Sequence, residues 1–206
     1  YGTFTLVVSG YLFSSLVFFV LAGRYDAAAM ARTGPRLLRP LYRLWGAGFR
    51  DDDVAHTRHW RSSFVLAMTI MPLLIVAHST LGFIFGIQAG RPGWFSALQA
   101  PAFVVMAGVS GTGALIVLAA IVRRLFRLED RIPIAALRWL GNFLWVLAAV
   151  YLYFMIVEEL TSPYAAPRAA RRIAHEVVGG SFAISFWLTV GSLGLAFLIP
   201  FVMYLR

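Results

Sequence analysis

The sequence predicts an all-α integral membrane protein with five membrane-spanning helices. Of its 206 residues 60% are hydrophobic and 13% charged, and the mean hydropathy is +0.78. A water-soluble domain of this size cannot hide so much apolar surface. The apolar residues also fall into five long blocks, at 4–21, 64–88, 97–122, 137–157 and 182–204, divided by arginine-rich segments. A helix needs about 20 such residues to cross a bilayer. In lipid only helices and closed barrels satisfy every backbone polar group, and these continuous, non-alternating runs select helices.

Composition narrows the function classes. Cysteine is absent, which excludes disulfides, cysteine-based zinc sites and iron–sulfur ligation by this chain. The net charge is +9 and all 18 basic residues are arginine. In a chain with five spans, arginine marks the cytoplasmic side, so nucleic acid is not an expected partner and the lipid bilayer is. The chain opens at Tyr1 and is apolar from Phe4, with no charged region before that block and no small-residue cleavage site after it. The first block is therefore expected to be a span rather than a signal peptide, and the chain a piece of a longer protein.

The first block carries Ser9, Gly10, Tyr11, Ser14 and Ser15. Small and hydroxyl residues favour close approach of a neighbouring helix, and Tyr11 has a hydroxyl to offer a ligand. Segment 24–61 follows, with eight arginines (24, 32, 36, 39, 43, 50, 58 and 61) against Asp26 and the triplet Asp51, Asp52 and Asp53. Leu37, Leu38, Leu41, Leu44 and Trp45 recur at helical spacing and predict an amphipathic helix lying on the membrane surface. The three aspartates precede a short helical run through His56, His59 and Arg61. Aspartate with histidine invites a metal, but an acidic helix start favoured by the dipole is the simpler account.

In the second block Pro72 predicts a kink. His78 sits near the middle, and an ionisable side chain at that depth is a functional candidate. The alternative is a neutral histidine bonded to a neighbour's carbonyl or hydroxyl, for which Ser110 is one option. The segment from Gly90 to Ser96 holds Arg91, Pro92, Gly93, Trp94 and Phe95. Glycine and proline predict a turn, and the aromatics an interfacial position. The third block places Pro101 in its first turn and then runs through Gly108, Ser110, Gly111 and Gly113, a smooth face for close helix contact.

Arg123, Arg124, Arg127, Arg131 and Arg138 flank the next loop. The fourth block has Asn142 near that end and Tyr151, Tyr153, Glu158 and Glu159 near the other. Tyr151 and Glu158 are seven apart and share a face. Such a carboxylate can relay protons or simply end a solvated helix. Segment 161–180 reads as a polar loop with Pro163, Pro167, Arg168, Arg171, Arg172, His175 and Glu176. The fifth block places Ser185, Thr189 and Ser192 on one stripe, expected to face the bundle, and Pro200 bends its end.

Arginine counts give the topology. Segments 24–61 and 123–138 carry eight and five, whereas 87–96 and 161–180 carry one and three. The richer segments are expected in the cytoplasm, and with them the C-terminus. The organisation is then a span over 1–23, a cytoplasmic arginine-rich amphipathic segment over 24–61 and a four-helix transmembrane bundle over 62–206. A haem held by two of the chain's own histidines is not expected, since His78 is the single histidine inside a span. The run Gly108-Val109-Ser110-Gly111 matches the motif of rhomboid proteases, yet it is a weak pattern in a glycine-rich helix, and serine and histidine come in the reverse order. No inverted repeat suggests a transporter.

Several short motifs together resemble the polysulfide reductase membrane subunit (NrfD/PsrC-like) family, which includes membrane subunits of alternative complex III. They are Tyr25-Asp26-Ala27-Ala28 with Arg32, then Trp45-Gly46 with Gly48-Phe49-Arg50, then Ala77-His78-Ser79. They continue with Pro92-Gly93-Trp94-Phe95-Ser96, Pro101-Ala102-Phe103, Ser110-Gly111, and Tyr151 and Tyr153 with Glu158, Glu159 and Tyr164. The order and spacing cover nearly all of the chain. The resemblance implies the C-terminal part of a double four-helix bundle of eight or more helices, in the bacterial inner (cytoplasmic) membrane. It implies a subunit that exchanges electrons between the quinone pool (menaquinone or ubiquinone) and a partner iron–sulfur subunit, which serves a molybdopterin or cytochrome subunit. No cofactor is covalently held by the chain. His78, Glu158, Glu159 and Tyr151 become candidates for a proton relay, Tyr1 and Tyr11 for the quinone rim, and Arg91 and Trp94 for the partner interface. Some relatives carry an acidic residue six positions after the histidine. Here that residue is Ile84, so a proton-pumping path through that carboxylate is not implied. The alternative function is a structural membrane anchor with no quinone chemistry of its own.

Overall fold

The computed structural model describes residues 2–49, 52–165 and 168–205. Among them there are helices and turns and no strand. The helices are α1 (Gly2–Thr33), α2 (Arg39–Trp45), α3 (Asp53–Gly86), α4 (Gln99–Leu125), α5 (Ile134–Ala165), α6 (Arg168–Gly179) and α7 (Ala183–Leu205). Five segments are long and apolar enough to cross a membrane: Phe4–Thr33, Asp53–Gly86, Gln99–Leu125, Ile134–Thr161 and Ala183–Pro200. The all-helical multi-pass class follows. Large apolar side chains such as Leu6, Trp187 and Leu195 remain exposed, as outward faces must when lipid is the solvent.

Two expectations need correction. The run through His56, His59 and Arg61 is not a separate short helix but the first turns of α3. The Asp52 carboxylate accepts a hydrogen bond from Ala55 N (2.6 Å) and starts the helix, which meets no breaker before the apolar block. Most of the described part of segment 161–180 is helical rather than loop. Helix α5 continues into it, and α6 forms because Arg168, Arg171, Arg172 and His175 share one face and Ile173 and Val177 the other. Pro72 lies inside α3 without ending it.

The chain divides into two compact units, one ending at Ala77 and one beginning at His78. In the first, α2 lies against α1. The Trp45 indole covers Gly23, donates its N–H to the Val20 carbonyl (2.8 Å) and meets the Phe19 ring at 5.4 Å. At Gly46 an added Cβ would lie 2.7 Å from Ala28 N, so the backbones touch. Arg24 donates to the Ala47 carbonyl, and the loop turns at Gly48, whose φ of +74° favours glycine. Tyr25, Phe49, His56 and His59 form one aromatic cluster, with Tyr25–His56 centroids 5.0 Å apart and Phe49–His59 5.9 Å. This gives both histidines a packing role.

In the second unit α5 packs on α4 and α7, and α6 lies on α5 and α7. Small residues form the centre: Ala148 and Thr112 are buried beside Leu193. The Trp187 indole donates to the Val178 carbonyl (3.0 Å) and ties α7 to α6. Thr189 and Ser192 line an apolar cleft of about 400 Å³ with residues of α4 and α5, as the bundle-facing stripe predicts, whereas Ser185 is exposed.

Candidate functional site

Helix α6 connects two of the segments singled out in the second unit: it packs on α5 and meets the turn that leads from α3 to α4. A tight turn builds the first part. Arg91 N bonds to Gln88 O (2.8 Å), and Trp94 N to Arg91 O (2.9 Å). The turn folds the Arg91 guanidinium over the Trp94 ring, 4.8 Å from its centroid. Trp94 meets the edge of Phe85 at 5.0 Å, and Phe85 stacks on Phe103 at 5.6 Å. The indole is thus anchored on one side and open on the other, with 40% of its surface exposed. An exposed cation–π contact of this kind is worth about 0.5–1 kcal/mol. Helix α6 closes on the same turn: a Cβ on Gly93 would lie 3.2 Å from Ile173 Cγ2.

The turn sits close against α4 because α3 ends in glycines. A Cβ at Gly82 would lie 2.6 Å from Gln99 O and 2.8 Å from Ala100 Cα, and one at Gly86 would lie 2.6 Å from Ser96 O. His78 is half-buried on the same face, one turn before Gly82.

The end of α5 supplies Tyr151, Glu158 and Glu159, all half-buried. Glu158 follows Tyr151 by two turns on the same face of α5, and Glu159 is its neighbour in the chain. Thr161 turns its hydroxyl back to the Val157 carbonyl (2.8 Å). Tyr153, on another face, is 62% exposed, and Tyr164 is 91% exposed. The candidates therefore fall at separate places: an exposed cation on an aromatic base at the turn, a phenol and two half-buried carboxylates along α5, and His78 on α3.

Ser110 donates its hydroxyl to Met106 O (2.9 Å) within α4 and is exposed. Of the expected smooth face on α4, Gly108 meets Leu147, but Gly111 and Gly113 have no atom within 4 Å of an added Cβ. The close approach lies instead at Gly82 and Gly86, whose four-residue spacing is the small-residue signal for helix contact. Tyr1 lies outside the described residues. Tyr11 is half-buried on α1, and the cavities of the first unit gather round the other part of that helix, from Leu21 to Arg32. Among the described residues no group of three or more histidine, aspartate or glutamate side chains is disposed to hold a metal.

Comparison with known proteins agrees with the motif resemblance. The model of the family described as polysulphide reductase, NrfD, matches residues 4–206. A Halobacterium salinarum protein, provisionally named as a membrane subunit of dimethyl sulfoxide reductase, is 33% identical over 143 residues, covering 68% of this chain and 32% of that protein. A selenate reductase subunit of Mesobacillus selenatarsenatis is 26% identical over 139 residues, covering 68% of this chain and 31% of the relative. The matched part of the chain thus spans about a third of the length of these curated relatives.

Proposed function

The chain belongs to the polysulphide reductase NrfD family, and from that premise we propose that it is a membrane subunit of a respiratory oxidoreductase complex. In this role it exchanges electrons between the quinone pool and a partner iron–sulfur subunit, which passes them to or from a molybdopterin or cytochrome subunit. The observation that carries the proposal is the family match over residues 4–206. The names of the two relatives, both subunits of reductases, support it. The chain has no cysteine to hold an iron–sulfur cluster, so the electrons need a partner's centres. The membrane is the bacterial cytoplasmic membrane, with the two arginine-rich segments and the C-terminus inside.

Within that role Arg91 and Trp94 suit a docking point. The ring is held by Phe85, the guanidinium is held by the ring, and both are exposed. Tryptophan and arginine are the side chains that most often anchor interfaces. Quinol oxidation releases protons together with electrons, and quinone reduction takes them up. Tyr151, Glu158 and Glu159 offer acceptors and donors near a membrane surface, with His78 deeper on α3.

The test is quinol-linked turnover by the assembled complex. Removing this chain should abolish turnover with quinol while the partner enzyme still works with a soluble electron donor or acceptor. His78→Ala and Glu158→Gln should each lower quinol turnover and the accompanying proton release, by roughly tenfold or more if proton transfer limits the rate. Quinol-linked turnover that survives removal of the chain would favour a plain anchor. Unchanged turnover and proton release in both variants would dismiss the relay.

A further inference from the structure

The first unit holds a basic cavity for which neither electron exchange nor the proton path has a use. It measures about 540 Å³ and is lined by Leu21, Arg24, Phe49, Asp52, Arg58 and His59, among others. Arg24 is aimed by its bond to the Ala47 carbonyl. His59 is packed against Phe49, ring centroids 5.9 Å apart. The Asp52 carboxylate is engaged in capping α3 through Ala55 N. With two guanidiniums against one carboxylate, the lining keeps a net positive charge and favours an anion. Beyond Phe49 lies a second cavity of about 390 Å³, lined by Arg32, Arg39 and Arg43.

Its depth in the membrane can be read from its neighbours. Trp60, directly after His59, stacks on Phe64 at 5.5 Å, and both rings are exposed, at 69% and 53%. Exposed Trp and Phe at the end of a span mark the interface between headgroups and hydrocarbon. Helix α2 presents Leu41 and Leu44 outward, and Leu37 just ahead of it is exposed as well, as a helix lying in that interface does. Leu21, at the end of the first apolar block, lines the cavity. Arginine and histidine therefore stand at the level of lipid phosphates, with apolar surface beside them.

We propose that this cavity binds the phosphate of an anionic phospholipid, with Arg24 and Arg58 holding the phosphate oxygens and the acyl chains leaving past Leu21 and Val54 of its lining. The chemistry fits: guanidinium forks match phosphate oxygens, and basic pockets at the membrane surface favour anionic headgroups. The shared ligand chemistry is a phosphate oxyanion, and free phosphate is the other source to be distinguished. The proposal needs the chain to span a membrane and does not depend on electron exchange.

The test uses the whole complex, reconstituted in nanodiscs with an equal mixture of phosphatidylglycerol and phosphatidylcholine. Native mass spectrometry then reads the lipids that stay bound. Phosphatidylglycerol should be retained severalfold over its share of the mixture, and added inorganic phosphate should not displace it. Arg58→Gln, a change on an exposed helix surface, should cut that enrichment at least twofold. Arg24→Gln with Arg58→Gln should remove it, and Arg131→Gln, in the other unit, should leave it intact. Equal retention of the two lipids, or an Arg58→Gln complex with unchanged enrichment, would overturn the proposal. Displacement of the lipid by inorganic phosphate would overturn the lipid assignment in favour of a free anion.

Discussion

Gly82 and Gly108 differ in what a side chain would meet. At Gly82 an added Cβ comes within 3.0 Å of Gln99 and Ala100 backbone, which cannot move without shifting α4. At Gly108 the obstacle is the Leu147 Cδ1 methyl, at 2.9 Å, the far end of a side chain with other rotamers. Gly82→Val should therefore destabilise the protein by about 1–3 kcal/mol, the usual penalty for overpacking, whereas Gly108→Ala should be nearly neutral. Thermal unfolding of the complex in detergent checks both. Comparable losses at the two sites would contradict the account. The sequence drew attention to the glycine run on α4 because it is dense. The contact that matters is carried by Gly82 and Gly86, and density is a poorer signal than spacing when one face of a helix meets another. His78, Tyr151, Glu158 and Glu159 were legible singly because an ionisable or phenolic group inside a span is unusual. Their grouping on α5 followed from the seven-residue spacing of Tyr151 and Glu158. The position of His78 relative to that group depends on packing, which spacing does not encode.

At the scale of the element, the turn between α3 and α4 is held from three directions: by its own hydrogen bonds, by Phe85 and Phe103 beneath Trp94, and by Ile173 of α6 against Gly93. Trp94→Ala would remove the anchored ring and leave Arg91 without its platform. If this surface docks the partner, Trp94→Ala should weaken association by on the order of 2 kcal/mol, as loss of an interfacial aromatic anchor does, and Arg91→Ala by less. Dissociation of the complex on dilution, followed by size-exclusion chromatography, reads this directly. Unchanged association in both variants would move the interface elsewhere. Helix α6 shows why element boundaries were harder to read than spans. Five of its twelve residues are charged or histidine and only Ile173, Val177 and Val178 are apolar and larger than alanine, so composition suggested a loop. Periodicity, with Ile173 and Val177 opposite Arg168, Arg171, Arg172 and His175, carries the helix. The extension of α3 back to Asp53 was hidden similarly, because a helix that leaves the membrane loses the hydrophobic signal but keeps its backbone hydrogen bonds.

At the scale of the whole molecule, the class was legible because crossing a bilayer imposes a bulk requirement: long apolar runs with internally satisfied backbones. The orientation rests on arginine distribution and is testable because the chain has no cysteine of its own. Single cysteines at Arg131→Cys, between α4 and α5, and at Ala169→Cys, on α6, should react with an impermeant thiol reagent from opposite sides of the membrane. The first should react from the cytoplasm and the second from outside, and the reverse pattern would invert the topology. Function was less legible than fold. Quinone exchange is a property of an assembly, and the matched part of this chain spans about a third of its curated relatives. The decisive measurement is purification in mild detergent, mass spectrometry of every protein that accompanies the chain, and extraction of bound quinone. Co-purifying iron–sulfur and molybdopterin or cytochrome subunits, with quinone in stoichiometric amount, is the predicted result. A chain that purifies alone, without quinone, would contradict the proposed role.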